Sequence, residues 1–507
     1  MRLLFLICCL IEGTTSVKIL LMPVNHGSHA RFFSLVGQTL QEEGHVVHVL
    51  LGDNFRHHSE ERGLRVVSMG MDLKYVLEAV HEKLFDSSKW GMWQLLKAMK
   101  DKGSAYCEAA LSQGVPYEVL EAEKYDLVLI DNIDPGRCMY VVPYRLNVPY
   151  ISLGARHDPW SARVPALPSS EGQIIVSTLS ANSTFRERLL NTVASLAFWV
   201  LFPPSFAVDP SYLKRFAPNR PETTFDQIYQ DSEMWIINMD TMCSDWPRVH
   251  AFHYQFIAGL GWTPAKPLPA GDMQSFADGA DNGLIVVSFG SALKTIPKEM
   301  MHVLMDALRD LPQRVLMRFD GEHPANTPAN VMLTSWLPQN DLLGHNNTRL
   351  FVTHGGNNGQ LEGLFHGVPM LTLPVFGDQF YNARRASLRG HGLSLDLNSS
   401  SAEQVRDAIT ELLSDPKYRK SVQRCSRILL DMPEPRKALS FWVNHVLKFG
   451  GSHLKPSSMQ LPLWKFFMLD VAAFLAVSAA IVSACIFMCC RCTAKRCCRR
   501  QSKSKQD

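Results

Sequence analysis

Along most of this chain, short and nearly unbroken apolar runs alternate with longer stretches of helical character. In the first half the short runs are Val17–Pro23, Val46–Leu51, Asp126–Ile130, Tyr150–Leu153 and Trp235–Asn238. In the second half they are Leu284–Phe289, Arg314–Phe319, Val331–Trp336, Leu350–Thr353, Pro369–Leu373 and Leu393–Leu397. Several are continuous rather than alternating, the pattern of strands buried on both faces in parallel sheets covered by helices. Strand and helix alternating over two such stretches predict an α/β chain of two doubly wound, Rossmann-like domains. The segment 264–281 is rich in Pro, Ala, Gly and Asp and reads as a linker, so the expected domains are 17–263 and 282–450. No repeat of roughly 20–50 residues recurs, which excludes a solenoid.

The two ends have a different pattern. Met1-Arg2 precedes the apolar run Leu3–Ile11, and Thr14 and Ser16 occupy the −3 and −1 positions of a signal-peptidase site. Residues 1–16 therefore read as a cleaved secretory signal. The alternative, a buried first strand, is better filled by Val17–Pro23. Near the other end, Val471–Cys490 is 20 residues without a charge. As a helix rising about 1.5 Å per residue, it covers one hydrocarbon thickness. A membrane helix is expected over 466–490, after a juxtamembrane segment 451–465. Arg491, Lys495, Arg496, Arg499 and Arg500 crowd the far side, which places the tail 491–507 in the cytosol and the body in the lumen. Lys503 and Lys505 look like a dilysine retrieval signal, or they extend the basic flank. The expectation is a single-pass type I protein of the endoplasmic reticulum membrane.

Composition narrows the class. Over 507 residues, 46% are hydrophobic and 20% charged, which excludes a largely disordered chain, a collagen and a coiled-coil rod. The formal charge is +3, but the stretch from Arg491 onward holds seven basic residues and one acid, so the rest carries −3. A slightly acidic body gives no electrostatic reason for a nucleic-acid partner. Of 12 cysteines only Cys107, Cys138, Cys243 and Cys425 fall in the lumenal body. Their wide spacing excludes a zinc knuckle and leaves room for one or two bridges. Glycosylation sequons stand at Asn182, Asn346 and Asn398.

Open parallel sheets bind ligands beyond the carboxyl ends of their strands. Here those ends are polar and glycine-rich: Pro23–His29, Ile130-Asp131-Asn132, Ser288-Phe289-Gly290-Ser291 and Thr353–Gly359. In Phe351–Glu362 a strand runs through Gly355-Gly356 into a helix, whose exposed N–H groups suit a phosphate. His354 and Asn358 add donors. Glu362, one turn beyond Asn358, faces the same side and can accept from two ribose hydroxyls. Further on, Asp378-Gln379 bring an acid and an amide suited to a sugar's hydroxyls. Upstream, Trp336 can stack on a flat base. There is no G-x-G-x-x-G after the first strand, no P-loop, no H-E-x-x-H and no G-x-S-x-G.

Together, over about 45 residues, these pieces resemble the signature of the UDP-glycosyltransferases. The run Trp336–His345 and the run Lys437–Trp442, followed by a span and a basic tail, look most like the animal membrane-bound, UDP-glucuronosyltransferase-like branch. The resemblance is dense over 284–490 and sparser before it. It implies a GT-B fold with the UDP-sugar donor in the C-terminal half. Trp336 and Gln339 would hold uracil and ribose, and Glu362 the ribose. Ser291, His354, Gly356 and Asn358 would hold the diphosphate, and Asp378 and Gln379 the sugar. It implies no cofactor besides the UDP-sugar co-substrate, and the absence of an Asp-x-Asp triplet gives no metal clamp.

The resemblance places the base at His29 and its paired carboxylate at Asp131. A hydroxyl acceptor is a weak nucleophile, and an imidazole held by a carboxylate takes its proton during attack. Among the 18 histidines His26 is the rival, and Asp134 rivals Asp131. The acceptor is expected to be a small lipophilic alcohol, phenol or sterol, with a homo-oligomer left open. Leu189–Pro204 reads either as a membrane-touching helix or as a core helix. For the donor, the glucuronic-acid users would have an arginine near Ile237; this chain has none there, and Arg248 lies further on. UDP-glucuronic acid and UDP-glucose therefore both stand. A non-catalytic lumenal binding protein of the same fold would show damage at these motifs, and none is seen.

Overall fold

The computed structural model describes residues 16–70, 92–133, 136–164, 183–201, 208–246, 248, 251–290, 296–324, 327–375 and 377–503. Its strands form two parallel sheets. The first holds β1 (Lys18–Met22), β2 (Val46–Leu51), β3 (Arg65–Ser68), β4 (Leu127–Asp131), β5 (Tyr150–Gly154), β6 (Met234–Ile237) and β7 (Tyr254–Phe256), in the order β3-β2-β1-β4-β5-β6-β7. The second holds β8 (Leu284–Ser288), β9 (Arg314–Arg318), β10 (Val331–Thr334), β11 (Thr348–Thr353), β12 (Met370–Thr372) and β13 (Gly392–Ser394), in the order β10-β9-β8-β11-β12-β13. Each sheet reverses its strand order once, between β1 and β4 and between β8 and β11. These are the two switch points at which a doubly wound sheet leaves a crevice. The two Rossmann-like domains expected from the apolar runs are present.

The central strands are apolar throughout because both faces are covered. β4 and β8 are buried at every position. Helix α1 (Gly27–Glu42) lays Ala30, Phe33, Val36 and Leu40 on Ile19, Leu21, Val47 and Val49. Trp235, fully buried on β6, fills the opposite face with Tyr229 and Tyr254. Truncating it would cost about 3–5 kcal/mol. The two strands without a clear apolar run, β3 and β7, are short sheet-edge strands with half-exposed polar positions, so continuous hydrophobicity does not mark them.

Helix α2 (Phe185–Leu201) turns its apolar side chains outward as far as Leu196. Phe185, Leu189, Leu190, Val193 and Leu196 are exposed, while Asn191 and Ser195 point inward. In the second half, α3 (Asn357–Phe365) follows β11 and α4 (Gln379–Leu388) follows β12. Helix α5 (Pro416–Asp431) starts at Pro416, with Asp415 accepting from Lys417 N. Helix α6 (Pro435–Phe449) then returns: Leu439, Val443 and Val446 lie in the core of the N-terminal half, although their place in the chain groups them with the C-terminal one. The segment 264–281 includes a short helix, Asp272–Asp278, that buries Ala277.

Disulfides join Cys107 to Cys138 and Cys243 to Cys425. Asn346 and Asn398 are exposed, and Asn182 lies outside the described residues. Residues 455–507 form a separate compact unit. It contains α7 (Leu469–Lys503), within which Leu469–Lys495 is long and apolar enough to cross a bilayer, with a mean hydropathy of 2.5.

Candidate active site

Strand register assembles the first part of the site. β1 pairs with β4 so that Met22 lies opposite Ile130. The next residue of β4, Asp131, therefore emerges beside Pro23-Val24, and Val24 N donates to its Oδ2 at 3.2 Å. The chain turns there into α1, whose first turn carries His29. Its Nδ1 lies 2.6 Å from the same Oδ2 of Asp131. A carboxylate only accepts, so Nδ1 carries the proton and Nε2 is left as the basic nitrogen. Ile133 N donates to the other oxygen at 3.3 Å. Burial works against charging His29, yet the Asp131 carboxylate beside it, with a further contribution from Asp378, holds its pKa above the usual value.

The rival histidine has the opposite character. His26 Nδ1 meets Ser28 Oγ at 2.9 Å, and burial, together with the neighbouring His29 and His354, lowers its pKa to about 3. Asp134 lies outside the described residues. An apolar recess formed by Met22, Leu50, Met69, Ile130 and Met139 ends at Asp131.

The second part comes from the C-terminal sheet. Thr353 of β11 is level with Ser288 of β8 and Thr372 of β12, so three strands end together. Beyond them Gly290 and Gly355 adopt φ +73° and +83°, a conformation that disfavours other residues. A Cβ on Gly290 would also stand 2.7 Å from the His354 ring. Gly355 lets the chain leave β11 and open α3 at once, with Gly356 as its N-cap, and Gly290 leaves room for the His354 ring. His354 is held neutral: burial lowers its pKa to about 4. It serves the turn as a hydrogen-bonding ring rather than as a cation.

Gln339 and Glu362 are brought together, Nε2 donating to Oε2 at 2.6 Å, with Arg31 of α1 3.9 Å from the other oxygen. Burial raises the Glu362 pKa against the pull of Arg31 and Gln339. Trp336 stands apart, 63% exposed beyond β10. Asn358 Oδ1 accepts from Asn238 Nδ2 at 3.1 Å. Asp378 caps α4 and accepts from Asn382 Nδ2 at 2.8 Å, and burial raises its pKa. Gln379 is buried with its amide oxygen accepting from Val375 N at 2.9 Å. Ser291 lies outside the described residues.

Two residues join the site without a motif to announce them. Arg31 reaches Glu362 from the N-terminal half, and nothing in its sequence context signals that contact. Asn238, at the end of β6, donates to Asn358, accepts at Oδ1 from Gly259 N and Leu260 N, and accepts at its carbonyl from Asn357 Nδ2. Its only signal is a polar residue closing an apolar strand. Arg248 is engaged elsewhere, 3.0 Å from Asp245 Oδ2 and 2.8 Å from the Tyr381 hydroxyl.

The arrangement thus brings a carboxylate-held imidazole within electrostatic reach of the C-terminal strand ends, His29 with Asp378 and His26 with His354. Known proteins are similar along the whole chain. Residues 17–504 match the family model described as UDP-glucoronosyl and UDP-glucosyl transferase. UDP-glucuronosyltransferase 2B17 of Homo sapiens is 30% identical, covering 100% of this chain and 98% of that protein. The 2-hydroxyacylsphingosine 1-beta-galactosyltransferase of Rattus norvegicus is 30% identical, covering 91% and 85%. Among solved structures, spinosyn forosaminyltransferase SpnP superimposes with a TM-score of 0.60 at 18% identity, covering 85% of this chain and 100% of that one. The glycosyltransferase VinC, in complex with dTDP, gives 0.57 at 18%, with 85% and 100% covered.

Proposed function

Since this chain belongs to the UDP-glucuronosyl and UDP-glucosyl transferase family and has its GT-B fold, we propose that it transfers a sugar from a UDP-sugar, with inversion, to a hydroxyl of a small lipophilic acceptor. The observation that carries this reading is the 2.6 Å contact of His29 with Asp131, within electrostatic reach of Asp378 at the head of α4. His29 Nε2 takes the acceptor's proton as its oxygen bonds to the anomeric carbon. The bond from that carbon to the UDP oxygen breaks, and UDP leaves on the opposite face. Asp131 stabilises the imidazolium that forms.

In this reading Trp336 stacks on uracil, Gln339 and Glu362 hold the ribose, and Asp378 and Gln379 hold the sugar. The diphosphate lies against the start of α3, whose N–H groups and dipole favour an anion, with Ser291, His354 and Asn358 around it and no metal. The glucuronosyl group is the default donor sugar, since most of the relatives are named for it. A specific observation favours an uncharged hexose as the second reading. A buried carboxylate needs a cation, yet Asn238 closes β6 and Arg248 is already held by Asp245 and Tyr381. Membranes supplied with each UDP-sugar and a panel of phenols test both readings. Transfer from UDP-glucuronic acid alone rejects the hexose, transfer from UDP-glucose alone rejects the glucuronosyl group, and no transfer from any UDP-sugar rejects the function.

The apolar helix α7 makes the chain a single-pass membrane protein in this reading. Its body is lumenal, and Lys503 and Lys505 retrieve it to the endoplasmic reticulum. Glycans trimmed by a high-mannose-specific glycosidase, and escape to the cell surface when both lysines become serine, are the expected results.

A further inference from the structure

The crossover between β6 and β7 leaves its own sheet. Both strands belong to the N-terminal half, yet Met242, Cys243, Asp245, Trp246 and Arg248 between them meet α4 and α5 of the C-terminal half. Asp240 first folds the crossover into a compact turn, accepting from Met242 N, Cys243 N and Ser244 N. Cys243 is then bonded to Cys425 on α5. Asp245, fully buried, accepts from Arg385 Nη1 at 2.8 Å and from the Tyr381 hydroxyl at 3.2 Å, as well as from Arg248. Arg389 Nε donates to Cys243 O at 2.7 Å and its Nη2 to Met242 O at 2.8 Å, and its guanidinium lies 4.5 Å from the centre of the Trp246 ring.

The partners on α4 are spaced by four: Tyr381 and Arg385 on the helix and Arg389 as its C-cap. Residues so spaced form one stripe on a helix. The crossover therefore grips a single face of α4 over two turns, from Arg389 up to Tyr381, one turn from Asp378-Gln379 at the head of the helix. Asp378 and His29 already influence each other's protonation across the cleft. Whatever sets the lie of α4 sets the distance between those groups.

We infer that this crossover is a strap by which the N-terminal half positions α4, making Asp245 and the Cys243–Cys425 bridge positioning residues for the transfer step. The inference rests on the reading of Asp378 and Gln379 as sugar contacts. The part of the crossover from Asp240 to Arg248 acts on the sugar's place relative to His29 and leaves the nucleotide alone, because Gln339 and Glu362 lie outside its contacts and the start of α3 is met by Asn238, ahead of it. It is built to resist slippage: Asp245 is shared by two buried guanidinium groups, so removing its charge weakens its hold on both, and the bridge adds a covalent tie. Displacing a reacting group by about 1 Å costs on the order of 10²-fold in rate.

The test uses the full-length protein in membranes, with Asp245→Asn and, separately, the pair Cys243→Ser and Cys425→Ser. Active sites are counted by UDP binding, so that lost or unfolded protein does not enter the rate. A fall in kcat per UDP site of about tenfold to 10²-fold, with UDP affinity within about twofold of wild type, is the expected result. Unchanged kcat per site in both variants overturns the strap. So does a loss of UDP affinity parallel to the loss of rate. Asp378→Asn supplies the second arm. If Asp245 acts through the head of α4, Asp245→Asn costs little more once Asp378 has been changed, because the two losses are not additive. Full additivity overturns the coupling. Normal transfer by Asp378→Asn alone rejects instead the sugar contact assigned under the proposed function.

Discussion

Each half of the molecule sets a half-buried histidine at a strand end, His29 in one and His354 in the other, and the two have opposite protonation tendencies. His29 is beside β4, which ends in a carboxylate, and its pKa is raised. His354 is beside β8, which ends in Ser288 and offers only a backbone group, and its pKa falls to about 4. Burial pushes both rings toward neutrality. The difference comes chiefly from Asp131, placed by the β1–β4 register, with Asp378 adding to it. A cleft histidine is thus a base or a neutral hydrogen-bonding ring according to how the adjacent strand ends, and burial alone does not decide between them.

The largest expected effect breaks the base side of this comparison. His29→Ala should lower kcat by about 10²–10⁴-fold, with UDP binding retained, since the donor wall is untouched. Calorimetry with UDP and a transfer assay on the same preparation check this. Near-normal turnover would move the base to His26, whose pKa of about 3 otherwise makes it a poor proton acceptor.

Asp131→Asn tests why the two histidines differ. The base works only when neutral, so with a raised pKa the acid limb of kcat/KM should lie above the ordinary histidine value of about 6.5. Removing the carboxylate leaves burial opposed by Asp378 alone, so the limb should move to lower pH while kcat falls. A pH–rate profile of the variant with an unmoved limb would show that Asp131 does not set the titration of His29.

On the donor wall, Glu362→Ala should weaken UDP binding by roughly 1–3 kcal/mol, the worth of a charge-assisted hydrogen bond. It also frees Gln339 from its 2.6 Å contact. An unchanged dissociation constant would mean that the ribose lies elsewhere.

Much of this layout can be read in the residues because central parallel strands are apolar at every position and their polar ends are local. Leu127–Ile130 followed by Asp131, and Phe351–Thr353 followed by His354-Gly355-Gly356, carry both the strand and the functional turn within a few residues. What the residues conceal is long-range. Arg31 lies 331 positions from Glu362, Asn238 is 120 from Asn358, and Asp245 is 140 from Arg385; each meets its partner only once the halves close on each other. Helix α6 is hidden for the same reason: its apolar stripe states that it is buried, but not in which core.

The smallest expected effect sharpens the contrast from the His354 side. UDP-sugar, studied without acceptor, carries a fully ionised diphosphate at neutral pH, so any change in its affinity near neutrality reports on the protein. A histidine with an ordinary pKa beside the diphosphate would gain charge as the pH fell from about 8 to about 6.5 and would tighten binding. His354, at about 4, remains neutral over that whole range, so the affinity should change by less than about twofold. Over the same interval kcat/KM should fall as His29 charges. A several-fold tightening of UDP-sugar on acidification would show His354 acting as a cation and would erase the distinction between the two rings; a flat binding curve beneath a falling rate would locate the titrating group at His29.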